Sequence, residues 1–276
     1  MDLPTRIGII SGRGKFPVLI VENIKKYAPK TDIYAAGFKG ETNKDIKKYS
    51  VDFKLFPLGT LGFAMEYFKS VNVNKVLMAG LVSHQRLFDN SIKMDEITKQ
   101  MFDSIKDKRA DSILGAIGNV FKNQGLELMP ILPLLEGHLA SEGILNSIKP
   151  EPKHQEDISF GFSLVKDLSR FDIGQTIVVK NKCVVAVEAL EGTDYCILRS
   201  GKLSGTGNVI IKVAKLHQDL RFDLPVIGPR TIKVMKHIKA SAIAVESGKT
   251  CIIEKERVLK MADKHRISIV GVSWEK

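Results

Sequence analysis

Short apolar runs alternate with amphipathic stretches through the first half of the chain. Residues 6–10 predict a buried strand, and a helix follows that begins at Pro17 and carries Val18, Val21 and Ile24 at helical spacing. The same alternation predicts strands at 32–36, 51–58, 75–82 and 126–131, and helices at 61–71 and 111–123. Strands separated by helices form a mostly parallel sheet, so this half is predicted to be a Rossmann-like, doubly wound unit.

The second half has a mixed pattern. It predicts a helix at 157–171 and then a β-hairpin whose strands, 175–180 and 183–188, flank a turn at Asn181-Lys182. Further strands are predicted at 209–214, 242–246, 251–254 and 267–272, and further helices at 231–240 and 256–265. The fold class expected for the whole chain is therefore α/β, with a mixed α/β second domain.

The triplet Gly248-Lys-Thr250 resembles the end of a phosphate-binding P-loop. Ile243 stands where that motif requires a glycine, and the triplet lies between two strand patterns rather than before a helix. The sequence therefore predicts a hairpin turn here, between the strands at 242–246 and 251–254.

A proline-rich stretch separates the two patterns. Its prolines are Pro130, Pro133, Pro150 and Pro152. Such a stretch is typical of a connection between domains. We place the boundary near residue 150, with a Rossmann-like domain at 1–150 and a mixed α/β domain at 151–276.

The composition is that of an ordinary globular protein, with 44% hydrophobic and 26% charged residues among 276. No apolar run reaches the roughly 18 residues that a membrane span requires. The three cysteines are an odd number without C-x-x-C spacing, so neither a disulfide framework nor a zinc knuckle is indicated. A cytoplasmic location is expected.

The chain carries 42 Lys and Arg against 31 Asp and Glu, a net charge of +11. One interpretation is a solvated lysine-rich surface. The others are attraction to nucleic acid, to an anionic membrane surface or to a phosphorylated substrate. No helix-turn-helix, RNP or zinc-finger pattern occurs, so a nucleic-acid partner is not expected.

Gly12 and Gly14 follow the first strand and precede the first helix. In that context backbone N–H groups and a helix N-terminus can bind phosphate, and both glycines are candidate substrate-binding residues. Pro17 occupies the third glycine position of the dinucleotide fingerprint, and Asp32 begins the second strand rather than ending it. The alternative is a tight turn of any doubly wound fold.

A first cluster of carboxylates follows the strand that ends at residue 188. Glu188, Glu191 and Asp194 lie three residues apart, and Thr193 is placed near the start of a short helix. Carboxylate oxygens suit Mg²⁺, and a helix start suits a phosphate.

A second cluster lies between a strand and a helix. It consists of Lys212, Lys215, Gln218, Asp219, Arg221 and Asp223. The last three occupy alternate positions, so in an extended segment their side chains point the same way. Pro225 holds the preceding backbone extended, and a carboxylate on a rigid bend beside cations is typical of metal-assisted phosphate chemistry. A solvated edge with ordinary ion pairs is the alternative.

Several stretches of the chain are familiar in combination. They are Gly8-Ile-Ile-Ser-Gly-Arg-Gly-Lys-Phe-Pro17, Ala79-Gly-Leu-Val82, Asp172-Ile-Gly-Gln175, Glu191-Gly-Thr-Asp194 and Gln218-Asp-Leu-Arg-Phe-Asp-Leu-Pro-Val-Ile-Gly228. In order and spacing the chain resembles, nearly end to end, the LpxI-type UDP-2,3-diacylglucosamine pyrophosphatases of Gram-negative lipid A synthesis.

The resemblance implies hydrolysis of UDP-2,3-diacylglucosamine to 2,3-diacylglucosamine 1-phosphate and UMP, with Mg²⁺ or Mn²⁺. It also implies a homodimer that is peripheral to the cytoplasmic face of the inner membrane, where the lipid-linked substrate lies. The aspartate regarded as essential in that family matches Asp223.

The remaining roles follow from chemistry. Asp223 is a candidate metal ligand or the base that orients water, with Glu191 and Asp194 as further metal ligands. Lys212, Lys215 and Arg221 would neutralise phosphate oxygens. Thr193 and Gln218 are assigned to substrate binding. Two other functions stay open: a nicotinamide-dependent oxidoreductase, and a non-catalytic basic protein that binds nucleic acid or membrane.

Overall fold

The computed structural model describes residues 3–82, 86, 89, 91–216, 219, 221 and 224–274. The chain forms two compact units. The first contains residues up to 136 together with Asp219 and Arg221, and the second contains 137–216 and the chain from Leu224 onward. The units divide at 136, earlier than the predicted boundary near 150, because residues 143–144 form a strand in the sheet of the second unit.

The first unit is a parallel sheet with helices, as the alternating pattern predicts. Its strands are β1 (Arg6–Ser11), β2 (Asp32–Phe38), β3 (Asp52–Phe56), β4 (Lys75–Ala79) and β5 (Glu127–Leu128). Its helices are α1 (Phe16–Tyr27), α2 (Leu61–Ser70), α3 (Glu96–Ser104) and α4 (Ala110–Asn123), with short 3-10 helices at Lys44–Tyr49 and Leu132–Leu135. The strand order is β3-β2-β1-β4-β5, and each neighbouring pair is parallel. The predicted Rossmann-like fold is confirmed.

Helix α3 is a difference from the prediction. Only Thr98 and Met101 of its nine residues are buried, so it lacks the apolar stripe that marks a helix in sequence. Asp95 marks the start of this helix instead: its side chain accepts a hydrogen bond from the Thr98 backbone N–H at 2.8 Å, which caps the first turn.

The second unit holds a mixed sheet and a smaller parallel pair. Its strands are β6 (Gly143–Ile144), β7 (Thr176–Lys180), β8 (Cys183–Val187), β9 (Val209–Lys212), β10 (Val226–Ile227), β11 (Ala242–Glu246), β12 (Cys251–Ile252) and β13 (Ser268–Val272). Its helices are α5 (Pro152–Leu168), α6 (Thr193–Ser204), α7 (Pro229–His237) and α8 (Lys255–Lys264), with a short 3-10 helix at Ser169–Phe171. The strand order of the mixed sheet is β6-β13-β11-β9-β7-β8, while β10 pairs with β12.

One predicted hairpin is confirmed and the other is wrong. Strands β7 and β8 pair antiparallel across the turn at Asn181-Lys182. Strands β11 and β12 do not pair, because β11 is already bonded on both sides by the parallel strands β9 and β13. After the turn at 248–250 the chain therefore leaves the large sheet, and β12 pairs with β10 instead.

In the part of the chain that the structure describes, no helix has both the length and the apolar character needed to cross a bilayer.

The β7–β8 turn is bonded to helix α5 through a buried carboxylate. Asn181 and Lys182 have φ of 52° and 57°, the left-handed values that a two-residue hairpin turn requires. Asp157 of α5 accepts hydrogen bonds from their backbone N–H groups at 3.0 and 2.6 Å. This carboxylate therefore fixes both the turn and the position of α5 on the sheet.

We expect Asp157→Ala to lower the free energy of unfolding by about 1–3 kcal/mol, because two backbone donors lose their acceptor. Urea denaturation followed by circular dichroism measures this change. Glu156→Ala is the matched control, since Glu156 forms only an exposed ion pair with Lys182, and its expected effect is below about 1 kcal/mol. Equal losses for the two variants would contradict the anchoring role of Asp157.

Candidate functional site

The candidate site lies at one edge of the mixed sheet in the second unit. Strands β9, β11 and β13 are parallel, and β7 runs antiparallel to β9 and β8. Strands β8 and β9 therefore end at the edge where β7 begins, and α6 begins there as well. Buried charged side chains gather at this edge, which is unusual enough to need an explanation. They include Glu188, Lys212, Lys215, Lys166 and Glu246.

Lys212, the last residue of β9, is only 3% exposed. Its ammonium group donates hydrogen bonds to the hydroxyl of Thr193 at 2.7 Å and to that of Thr176 at 3.4 Å. Register explains the second contact, because Thr176 and Lys212 are paired residues of β7 and β9. Among the described residues no carboxylate lies in salt-bridge distance of this ammonium group.

Thr193 connects Lys212 to Glu188. The threonine hydroxyl accepts from the lysine and donates to Oε1 of Glu188 at 2.9 Å. The other carboxylate oxygen, Oε2, is buried and has no hydrogen-bond partner among the described residues. A buried cation and a buried anion are therefore joined through one hydroxyl, with one acceptor oxygen left over.

Lys215 is held differently. Its ammonium group lies 2.5 Å from Oδ1 of Asp172, and both side chains are almost fully buried. Asp172 takes a left-handed backbone conformation, with φ of 53°, directly after the 3-10 helix at Ser169–Phe171. The structure thus places both predicted cations, Lys212 at the end of β9 and Lys215 three residues later, at the same edge of the sheet.

The two predicted metal ligands of the first cluster are paired with arginines. Arg199 donates to Glu191 at 2.7 Å, and Arg230 lies 2.5 Å from Asp194. Burial acts to raise the pKa of Glu191, but the Arg199 guanidinium and backbone N–H groups outweigh it and hold the pKa below its ordinary value. Within the described ranges, no three His, Cys, Asp or Glu side chains lie close enough together to hold a metal ion.

Sequence reasoning included Glu188 in the first cluster but assigned only Glu191 and Asp194 as metal ligands. Glu188 is the one of the three with a buried carboxylate oxygen that has no hydrogen-bond partner among the described residues. The available signal was its position at the end of a strand, where side chains of neighbouring loops converge.

Two predicted residues, Gln218 and Asp223, lie outside the described residues. Arg221 is described, and its guanidinium makes hydrogen bonds of 2.9 and 3.0 Å from Nε to the carboxylate of Asp219. The Arg221 backbone N–H also donates to Oδ1 of Asp219. The side chains of Asp219 and Arg221 therefore contact each other, and the shared orientation with Asp223 stays a prediction.

The glycine loop of the first unit packs tightly. Gly12 donates its N–H to the carbonyl of Ala79 at 2.8 Å, and Arg13 donates to that of Leu81. A Cβ on Gly12 would lie 2.8 Å from backbone atoms of Gly80 and Leu81, which explains the glycine without a ligand. Gly14 has φ of 89° with open space around its Cβ position. Phosphate binding at Gly12 and Gly14 stays a prediction.

Comparison with known proteins gives a consistent result for both units. Residues 6–138 match the model of the LpxI N-terminal domain, and residues 141–270 match that of the LpxI C-terminal domain. The UDP-2,3-diacylglucosamine pyrophosphatase LpxI of Caulobacter vibrioides is 30% identical over 173 residues. That match covers 60% of this chain and 62% of the relative's length. Because the two domain models together span nearly all of both sheets, the chain belongs to the LpxI family.

Proposed function

We propose that this protein hydrolyses UDP-2,3-diacylglucosamine to 2,3-diacylglucosamine 1-phosphate and UMP, as a step of lipid A biosynthesis. Family membership and the name of the Caulobacter vibrioides relative support this reaction. The structural observation that carries it is the pair of buried lysines, Lys212 and Lys215, at one sheet edge. Two fixed cations in a partly dry site suit a diphosphate.

The reaction adds water across one P–O bond. The water oxygen bonds to the phosphorus attached to uridine, and the bond from that phosphorus to the bridging oxygen breaks. Negative charge on the phosphate oxygens must be neutralised throughout, and cations held in place before substrate arrives cost no reorganisation. Lys212 is held by threonine hydroxyls and Lys215 by Asp172, so both ammonium groups are preorganised.

Asp223 is proposed as a metal ligand or as the base that orients the attacking water, with Arg221 as a further phosphate-binding cation. A guanidinium can bind two phosphate oxygens at once. To do so, Arg221 exchanges its present bidentate contact with Asp219 for the substrate.

A divalent cation, Mg²⁺ or Mn²⁺, is part of the proposal. Such an ion, when bound, would neutralise charge on the diphosphate. Glu188 fits as a ligand, because a buried carboxylate oxygen without a partner is the hard donor that Mg²⁺ prefers. Glu191 and Asp194 would first have to release Arg199 and Arg230.

The proposed substrate also sets where the protein works. Two acyl chains hold that substrate in the inner membrane, so we propose that the protein acts, as a homodimer, at the cytoplasmic face of that membrane. The net charge of +11 favours this, since a lysine near an anionic leaflet contributes about 1 kcal/mol.

Lys212→Met should lower kcat for UMP release by roughly 10²–10³, because a buried cation that stabilises the transition state is replaced by an apolar side chain of similar length. Thermal unfolding checks that the variant is folded. Lys202→Met is the control, since Lys202 is exposed on α6 and its loss should leave kcat unchanged. A folded Lys212→Met protein with full activity would exclude the proposed role.

Asp223→Ala should nearly abolish turnover while leaving the thermal unfolding temperature unchanged within a few degrees. The expected loss is at least about 10²-fold, whichever of its two roles Asp223 has. Single-turnover measurement of UMP release tests this. Normal turnover by the variant would remove Asp223 from the mechanism.

EDTA should abolish UMP release, and added Mg²⁺ or Mn²⁺ should restore it. Mn²⁺ binding, followed by electron paramagnetic resonance, gives a second readout that does not depend on turnover. Glu188→Gln should weaken that binding, because an amide oxygen is a poorer ligand than a carboxylate. Glu136→Gln, in the other unit, is the control. Full activity in excess EDTA would rule out the metal requirement.

A further inference from the structure

A buried ion pair lies next to the candidate site without belonging to it. Lys166 of α5 and Glu246 at the end of β11 lie 3.0 Å apart, and their side chains are 2% and 1% exposed. Burial lowers the pKa of Lys166, while the Glu246 carboxylate opposes that shift. Two buried charges are costly to desolvate, so a pair of this kind needs further hydrogen bonds to be favourable.

The further hydrogen bonds go to one backbone residue. The Lys166 ammonium group donates to the carbonyl of Ala214 at 2.8 Å, and Oε2 of Glu246 accepts from the Ala214 N–H at 2.9 Å. Both polar groups of Ala214 are therefore bonded by charged side chains. Hydrogen bonds to ionised groups are shorter and about twice as strong as neutral ones.

A third contact holds the backbone of Leu216, two residues after Ala214. Ser169, at the end of α5, accepts from the backbone N–H of Leu216 at 3.2 Å and donates to the carbonyl of Lys166 at 2.6 Å. The β9 strand ends at Lys212, and Val213 still bonds to Gln175 of the neighbouring chain segment. At Ala214 and Leu216, the side chains of Lys166, Glu246 and Ser169 replace the sheet as partners of the backbone.

The residue between these two held positions is Lys215. Its backbone neighbours are fixed on both sides, and its side chain reaches Asp172 at 2.5 Å. A lysine side chain has several free rotations, so its ammonium group is placed accurately only if the backbone and the far end are both held. Ala214 and Leu216 supply the first condition and Asp172 supplies the second.

We propose that the Lys166–Glu246 pair, together with Ser169, positions Lys215 for phosphate binding. These are positioning residues, because they act on Lys215 through the backbone of Ala214 and Leu216. The inference rests on the proposed function, since it assigns Lys215 to the diphosphate.

The test compares the double variant Lys166→Met/Glu246→Leu with Lys249→Met. The double variant removes both buried charges together, which leaves no uncompensated charge in the core. Lys249 also contacts Glu246, at 2.8 Å, but it is 43% exposed and leaves the Ala214 contacts in place. Lys249→Met therefore perturbs the same carboxylate without releasing the backbone.

For the double variant we expect KM to rise about tenfold and kcat to fall by on the order of 10²-fold, because Lys215 loses its fixed position. Loss of folded molecules alone would lower the apparent kcat and leave KM unchanged. Amide hydrogen exchange of Ala214 and Leu216 should accelerate in the double variant and stay as in the wild type for Lys249→Met.

Ser169→Ala settles the case in which the double variant does not fold. It removes only the hydroxyl that holds Leu216, and it should raise KM severalfold and accelerate exchange of the Leu216 amide. Unchanged KM and unchanged exchange in a folded variant would overturn the proposal. If the wild type releases no UMP, the proposed function fails. The exchange data still decide whether the Lys166–Glu246 pair and Ser169 hold the backbone of Ala214 and Leu216.

Discussion

The positions of the loops in the second unit depend on one physical requirement: a buried charged group needs a hydrogen-bond or ion-pair partner. Four charged side chains of this unit are almost inaccessible to water: Lys212, Lys215 and Glu246 at or just after strand ends, and Lys166 near the end of α5. An unpaired charge there would cost several kcal/mol. Each is instead satisfied by a specific group, and those groups come from α5, β7, α6 and the loop that contains Asp172. The need to satisfy the charges therefore fixes the loops against the sheet.

Among the described residues, fewer buried charges need a partner at the corresponding edge of the first unit. There the loops at the carboxyl edge of the sheet are fixed by backbone contacts, with Gly12 against Gly80 and Leu81. A buried carboxylate, Glu41, does lie at this edge, and Arg13 bonds it at 2.8 Å. The first unit therefore relies mainly on close backbone packing at this edge, with Glu41 as a buried carboxylate, whereas the second unit relies on several buried ionic groups.

Much of the fold could be predicted from hydrophobic spacing. Strands with continuous apolar runs, such as β1 and β11, and helices with a clear stripe, such as α1, lie close to where the pattern places them. Helix α3 could not be found in this way, because its cap and not its burial defines it. Nor could the pairing of β12, since spacing along the chain says nothing about which strands already occupy both sides of β11.

The sequence predicted where the candidate site lies, but not which side chains in it form ion pairs or hydrogen bonds with each other. Lys212 and Lys215 stand out in sequence because they follow a buried strand, and the structure does place both at the sheet edge. What sequence could not supply was the pairing of Glu191 with Arg199, which lies eight residues away. The residue type alone does not show whether a carboxylate is exposed or is paired with an arginine. Only the geometry shows that one carboxylate oxygen of Glu188 has no hydrogen-bond partner in the part of the chain that the structure describes.

Lys212 and Lys215 differ in what an incoming anion must replace. Lys215 already has a carboxylate partner, Asp172, so a phosphate competes there with an existing ion pair. Lys212 donates to two hydroxyls, which are dipoles and compensate its charge only weakly. The charge of Lys212 is therefore less fully compensated by protein groups than that of Lys215, so its attraction for an incoming anion is stronger. Glu188 interacts with it through Thr193 rather than by direct contact, and this chain of hydrogen bonds holds the ammonium group in place. Under the proposed function, we therefore expect Lys212 to bind phosphate more strongly than Lys215, and the contribution of Lys215 to depend more on accurate placement.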